Sequence, residues 1–262
     1  MTEHHWDELV SAYERWAEPG SRRFAEAALD RADLAERADV LDVAAGTGAL
    51  AVAAAGRGHA VHAIDSAQGM VTRLAARLSP LPHCHAEVMD ARNLRAEDDL
   101  FDAAFSVFGV LYLGADTLKA VSEMVRVVRP GGVVSIVHWA GPVGGGPLFV
   151  PLARAINRLD APEAGRLTFP ITSDYLDRRE VEQLLVEAGC TAVESALVER
   201  PCPMPAADAF VTELDAIVRI MPHYTAAITH HRDRFLEILE DEVGRMETPI
   251  LGRANIVQGR VV

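Results

Sequence analysis

The chain is poor in cysteine, lysine and positive charge, and each shortage closes off a class of function. Three scattered cysteines in 262 residues, Cys84, Cys190 and Cys202, supply neither a disulfide framework nor zinc-ligand spacing. A formal net charge of −13 argues against a nucleic-acid partner, because phosphate contacts require a basic surface, and against an anionic membrane face for the same reason. No apolar run is long enough to span a bilayer, and no leader pattern or lipidation motif is present. These absences predict a cytoplasmic, reduced and soluble chain. Of 25 basic residues only Lys119 is a lysine, which together with abundant alanine reads as codon bias rather than function. Internal repeats and low-complexity segments are also missing.

What is present concentrates in residues 40–50, Val-Leu-Asp-Val-Ala-Ala-Gly-Thr-Gly-Ala-Leu. Val40, Leu41 and Val43 have the length and β-branching of a parallel strand covered on both faces. Ala44, Ala45, Gly46 and Gly48 leave little side-chain bulk, so a ligand can approach the backbone. An alanine-rich helix is predicted from Ala49 to Arg57, ending at Gly58. Strand, small-residue turn and helix N-terminus form the usual ligand mouth of an open α/β sheet.

Two cofactor classes use such a turn. Gly46 to Ala51 satisfies the dinucleotide pattern G-x-G-x-x-A. Asp42 beside the turn would oppose an anionic pyrophosphate, and suits a ligand carrying a cation such as the sulfonium of S-adenosyl-L-methionine. Further strands are predicted at 60–65 (ending in Asp65), 85–89 (followed by Asp90 and Ala91), 101–107 and 133–139. Between them lie helices at 68–78, with an apolar stripe of Met70, Val71, Leu74 and Leu78, and at 115–128. Strands alternating with helices predict an α/β fold with a doubly wound parallel sheet.

Over about residues 35–140 the chain resembles the class I S-adenosylmethionine-dependent methyltransferases. Four features carry the resemblance in order: Val40-Leu41-Asp42 through Gly48, Asp65 ending strand two, Asp90 after strand three, and Arg129-Pro130-Gly131-Gly132 before strand five. The resemblance implies a seven-stranded Rossmann-like sheet whose last two strands pair antiparallel at one edge. It implies that Gly46 and Gly48 approach the methionine part of the cofactor with Asp42 nearby. Asp65 would bind the ribose hydroxyls and Asp90 the adenine amine. The implied cofactor-binding set is Tyr13, Asp42, Ala44, Gly46, Gly48, Asp65, Asp90, Ala91 and Ser106. Ala44 replaces the family's first glycine and adds a methyl at a close-approach position.

Three parts are expected. Residues 1–35 form an N-terminal helical cap, in which Tyr13-Glu14-Arg15-Trp16-Ala17 resembles a segment that folds across the cofactor; both aromatics could instead simply pack the helix down. Residues 36–140 form the cofactor-binding core. Residues 141–262 complete the sheet and carry a helical substrate-pocket insertion at about 203–250 before the last strand. Within them, a hinge-like loop is predicted at 141–147, helices at 148–159, 174–189, 206–220 and 223–245, and strands at 191–199 and 255–262.

Methyl transfer from a sulfonium is an in-line displacement of an already activated leaving group, so alignment and water exclusion can supply much of the catalysis. A base is required only for a hydroxyl or acidic-carbon acceptor. His138, near the end of strand five, is the candidate, with an unperturbed pKa of about 6.5; a packing role is the alternative. Phe108, Tyr112 and Trp139 are candidate acceptor-site walls or, equally, core aromatics. His83, His85 and Glu87 alternate in a way that imitates a metal site, although a solvated edge strand gives the same pattern. His223, Tyr224, His230 and His231 fall on the insertion. No Asn/Asp-Pro-Pro-Tyr/Phe follows strand four, and no acid stands between Ser106 and Gly114, so an enzyme without a metal is expected. The sequence therefore predicts transfer of a methyl group to a small, largely apolar organic acceptor, with a quinone-like or secondary-metabolite oxygen favoured. The alternatives are a cofactor-binding protein that does not methylate and a nicotinamide-dependent oxidoreductase. The oligomeric state is not legible.

Overall fold

A computed structural model of the chain describes residues 3–141, 146–159, 176–219 and 223–262. The stretch 142–145 of the expected hinge, the start (174–175) of the helix expected before Gly189, and Ile220 and Met221 of the insertion's apolar stripe lie outside the described residues.

The chain opens with a 3-10 segment, Glu3–Leu9, a helical turn α1 (Val10–Ala12), a π turn (Tyr13–Ala17) and the helix α2 (Glu18–Ala32). Then follow β1 (Asp39–Val43), α3 (Ala49–Gly56), β2 (Ala60–Asp65), α4 (Gln68–Leu78), β3 (Cys84–Val88), β4 (Phe101–Val107), α5 (Thr117–Val127) and β5 (Val128–Trp139), which alternate as expected except that no helix separates β3 from β4. The second half holds α6 (Phe149–Leu159), α7 (Arg178–Glu187), β6 (Cys190–Pro201), α8 (Ala207–Thr212), α9 (Asp215–Val218), α10 (Tyr224–Gly244) and β7 (Leu251–Val261).

The seven strands lie in the order β3-β2-β1-β4-β5-β7-β6. Strands β1 to β5 pair in parallel, and β7 runs antiparallel to both β5 and β6. The seven-stranded Rossmann-like sheet expected from the sequence is thus present, with β3 at one edge. Strand order reverses between β1 and β4, which opens a crevice at their carboxyl ends.

Both faces of the sheet are buried by apolar periodicity. On one, Phe24 and Leu29 of α2, Leu50 and Ala54 of α3, and Leu74 and Leu78 of α4 cover Val40, Val61, Phe105 and Val137. On the other, Val121 and Met124 of α5 and Val181 and Leu185 of α7 cover Leu41, Ile64, Val134 and Val257. A third cluster forms a helical cap: Leu152 and Ile156 of α6 pack with Phe210, Leu214, Tyr224, Phe235 and Leu239, and with Leu9 and Met70.

Several boundaries differ from the sequence expectation, each for a local reason. Strand β5 begins at Val128, because Phe101 already pairs with Val128 and the Arg129–Gly132 stretch forms an irregularity before Ala103 meets Val133. Gly131 there has φ +81°. The predicted helix over 206–220 is split into α8 and α9 at Glu213 and Leu214. Strand β7 begins four residues early, at Leu251, where it pairs with Pro201. Helix α7 starts at Arg178 because Asp177 and Glu180 form a reciprocal capping box.

Candidate functional site

The loops at the carboxyl ends of β1, β2, β3 and β4 enclose a cavity of about 440 Å3, a size suited to a cofactor or drug-sized ligand. Its floor is the turn after β1. Ala44, Gly46 and Gly48 all adopt left-handed backbone, with φ of +56°, +55° and +104°. The replacement of glycine by alanine at position 44 therefore carries backbone strain on the order of 1 kcal/mol, beyond the added methyl that the sequence suggests. A Cβ on Gly109 would stand 2.5 Å from the Ala44 Cβ, so the loop after β4 can reach the turn only as glycine. Ser106 locks the two loops together: its Oγ donates to the Val43 carbonyl at 2.9 Å and accepts from the Val110 amide at 3.0 Å.

Asp65 ends β2 in the cavity wall. Its Oδ2 accepts from the Gly46 amide at 2.8 Å and its Oδ1 from the Ala67 amide at 2.9 Å. These bonds fix the carboxylate relative to the turn, while burial pushes its pKa up. Asp90, Ala91 and Arg92 follow β3 in the same wall. Arg92 grips Asp90 with Nε at 2.9 Å from Oδ1 and Nη2 at 2.8 Å from Oδ2, and its Nη1 lies 2.9 Å from Asp116. The Arg92 hydrogen bonds hold Asp90 below the usual carboxylate range.

The N-terminal segment closes the cavity. Trp6 and Tyr13 line it, and the Tyr13 ring edge lies 3.3 Å from where a Gly46 Cβ would stand. Their rings meet edge to face at 6.2 Å. The π turn sends Tyr13 and Trp16 different ways: Tyr13 covers the glycine turn, and the Trp16 indole donates to Glu213 at 2.9 Å. Asp7 accepts from the Gly69 amide at 2.6 Å, and Glu14 pairs with Arg73 at 2.7 Å, so the segment is tied to α4.

Of the residues singled out from sequence, Tyr13, Ala44, Gly46, Asp65, Asp90, Ala91, Phe108 and Tyr112 line the cavity. Asp42, Gly48, Ser106, His138 and Trp139 stand behind its wall. Asp42 is 1% exposed, and its Oδ2 accepts from the Ala51 amide at 2.9 Å. It staples the first turn of α3 rather than facing a ligand. Gly48 provides the left-handed residue before α3, packed under Leu74. Trp139 stacks on Phe108 with centroids 4.0 Å apart and backs it from the core side. His138 is 6% exposed with no hydrogen-bond partner for Nε2, and burial pushes its pKa down to about 4. At neutral pH it is uncharged and away from the cavity, which removes the geometric basis for a direct base role.

The edge-strand histidines behave as a polar surface cluster. His83 precedes β3, His85 stacks on His62 at 4.1 Å, and Glu87 reaches His62 at 3.5 Å and Arg95. Among the described residues no group of three or more His, Cys, Asp or Glu could hold a metal ion. Nor is any helix among them long and apolar enough to cross a membrane. Sequence reasoning missed Trp6, Ser66, Met70, Met89, Arg92 and Val110 as wall residues. Ser66, Met89 and Arg92 are chain neighbours of recognised positions. Trp6 and Met70 come from elements whose docking no local pattern reveals.

Burial of Asp42 raises its pKa to about 7. Folded protein therefore holds this proton up to near neutrality, whereas the unfolded acid loses it near pH 4. Ionisation between those values favours unfolding, so this group's stability contribution falls as pH rises from about 4 to 7. An Asp42→Asn variant keeps an acceptor for Ala51 and removes the titration. Its Tm is expected to match wild type near pH 4.5 and exceed it at pH 8, by on the order of 2–4 kcal/mol of stability; a difference flat in pH would contradict this.

The wall combines two carboxylates, Asp65 and Asp90, with apolar and aromatic surface from Met70, Met89, Phe108 and Val110. Its guanidinium, Arg92, is engaged by two acids. Such a wall suits sugar hydroxyls and a flat base, and repels a pyrophosphate. It fits S-adenosylmethionine better than a dinucleotide.

Comparison with known proteins agrees. Residues 40–132 match the family model for a methyltransferase domain. A demethylmenaquinone methyltransferase of Clavibacter sepedonicus is 32% identical over 161 residues, covering 57% of this chain and 60% of that protein. The chain thus spans less than two thirds of that relative's length. Among solved structures, phosphoethanolamine N-methyltransferase 2 of Haemonchus contortus, solved with phosphomonomethylethanolamine and S-adenosylhomocysteine, superposes with a TM-score of 0.59 at 18% identity. The match covers 97% of this chain and 57% of that one. The [4+2]-cyclase SpnF superposes with a TM-score of 0.56 at 21% identity, over 92% of this chain and 81% of that one.

Proposed function

This chain belongs to the class I S-adenosylmethionine-dependent methyltransferases, and from that premise we propose that it transfers the cofactor's methyl group to a small, largely apolar organic acceptor. The observation that carries the reading is Asp65, a buried carboxylate in the cavity wall whose two oxygens are oriented by the Gly46 and Ala67 amides. It would accept the ribose hydroxyl protons. Asp90 and Ala91 would hold the adenine edge, Ala44 and Gly46 would admit the methionine end, and Tyr13 and Trp6 would exclude water above it. When bound, S-adenosylmethionine supplies the methyl group on a sulfonium, an activated leaving group. The chain's own residues align the acceptor and keep the site dry.

Phe108 and Tyr112 are the proposed acceptor walls, with Trp139 setting the Phe108 ring. A quinone-like compound is the proposed acceptor, in keeping with the name of the Clavibacter relative, and its oxygen is the proposed methylated atom. Among the described residues no histidine lines the cavity, and we infer that the acceptor's own acidity supplies the nucleophile. That favours a phenol-like hydroxyl, with a pKa of about 10, over an aliphatic alcohol.

The test supplies methyl-labelled cofactor and a panel of quinols, phenols and alcohols. Acceptor-dependent release of S-adenosylhomocysteine with label in a quinol or phenol is expected, at a rate rising with pH toward the acceptor's pKa. Cofactor binding with no label transferred to any acceptor would favour a non-methylating role. Label found only in amines, or on a ring carbon of the quinol rather than its oxygen, would overturn the oxygen assignment.

A further inference from the structure

On the sheet face covered by α5 and α7, a second cavity of about 400 Å3 opens beyond the start of α7. Arg178, Arg179, Arg253, Asp177, Asn255 and Leu197 build its wall, and it shares no wall residue with the cofactor cavity. Three guanidiniums around one recess are conspicuous in a chain of net charge −13.

Asn255 is 6% exposed and lines the recess with its carboxamide, a group that can both donate and accept. Its partner across the β5–β7 ladder is His138, equally buried, whose Nε2 has no hydrogen-bond partner among the described residues. Buried polar groups are normally satisfied, so the unpaired His138 Nε2, beside Asn255 at the floor of a basic recess, points to a missing ligand or its water.

The guanidiniums are available. Arg179 makes no salt bridge among the described residues. Arg253 pairs with Glu199 at 2.9 Å, but both side chains are about half exposed, and such pairs hold weakly. Arg178 lies 3.8 Å from Glu182 and donates to the Ser195 hydroxyl at 3.4 Å. Asp177 spends its Oδ1 on the Arg179 and Glu180 amides, so the helix start is already capped and the attraction must come from the side chains. Arginine forks match the paired oxygens of carboxylate and phosphate.

We propose that this recess binds the carboxylate or phosphate group of a small molecule, gripped by Arg178, Arg179 and Arg253 over the Asn255 carboxamide. The site stands independently of the methyl-transfer reading.

The test uses the full chain, 15N-labelled, and follows the arginine Nε–H and Asn255 side-chain signals. Inorganic phosphate and succinate are added separately, with ionic strength held constant by chloride. Saturable shifts at Arg179 and Asn255 with either anion are expected, and the anion that responds identifies the group. Arg179→Gln and Arg253→Gln should each weaken that binding about tenfold or more, while added S-adenosylhomocysteine leaves it unchanged. No saturable shift with either anion, equal binding in both variants, or displacement by S-adenosylhomocysteine would each overturn the proposal. Calorimetry of S-adenosylhomocysteine on the same samples separates this failure from a failure of the cofactor site.

Discussion

Asp65→Ala is expected to weaken S-adenosylhomocysteine binding by at least about 100-fold. Two hydroxyl donors to a buried carboxylate contribute on the order of 1.5–3 kcal/mol each, and each 1.4 kcal/mol is about tenfold. The loss has a second source. Without the carboxylate, the Gly46 and Ala67 amides lose the acceptor that positions them at 2.8 and 2.9 Å, so the turn after β1 is no longer tied to β2. Asp65→Asn separates the two contributions. It keeps one acceptor oxygen for an amide but offers a donor where the second hydroxyl needs an acceptor, so its affinity should fall between wild type and alanine. Calorimetry on the three proteins decides the matter. If Asp65→Ala binds within about threefold of wild type, the cavity is not an adenosine site. If NADH binds instead, the dinucleotide alternative moves to the front.

The parts of this fold legible in sequence were those dictated by short-range pattern. Val40 to Val43 and Phe101 to Val107 are largely apolar runs buried on both faces, and Ala60 to Asp65 alternates buried and half-buried residues at the next strand. The glycine turn was equally visible, because φ values of +55° and +104° at Gly46 and Gly48 are what small residues permit. Asp42 shows what position along the chain leaves out. Its place two residues before the turn suggested a ligand contact, yet side chains alternate across a strand, and this one points into the start of α3. His138 follows the packing alternative for a related reason. It lies at the ligand-bearing end of β5, but on the face covered by α7, beside Asn255. Position along a strand was readable, whereas facing depended on which helix covered it. Trp6 and Met70 were invisible because their place in the wall is created by docking of residues 3–17 against α4.

That docking depends on one buried acid, and Glu18→Ala is expected to cost more stability than any exposed substitution in the chain. Glu18 is 4% exposed at the start of α2. Its Oε2 accepts from the Thr47 hydroxyl at 2.5 Å and from Arg77 Nη1 at 2.6 Å, while its Oε1 accepts from Arg22 at 2.9 Å. The same Arg77 nitrogen donates to the Thr47 carbonyl at 2.6 Å. Thr47 stands between Gly46 and Gly48, so the N-terminal helix, the glycine turn and α4 meet at this carboxylate. Removing it leaves a fully buried hydroxyl without its acceptor, takes the carboxylate from Arg22, and leaves Arg77 with only Glu14 at 3.9 Å as counter-charge among the described residues. Breaking a buried pair in this way costs about 3–5 kcal/mol, a Tm decrease on the order of 10 °C for a chain of this size. Because the loosened turn also floors the cavity, S-adenosylhomocysteine affinity should fall about tenfold in the same variant. Glu18→Gln, which retains acceptor oxygen for Thr47 but loses the charge, should lie between. In an Arg77→Met background the same Glu18→Ala change should cost clearly less, since the more buried of its two guanidinium partners is no longer there. Equal costs in the two backgrounds would show that Glu18 acts by helix packing alone and that the three elements are not coupled through it.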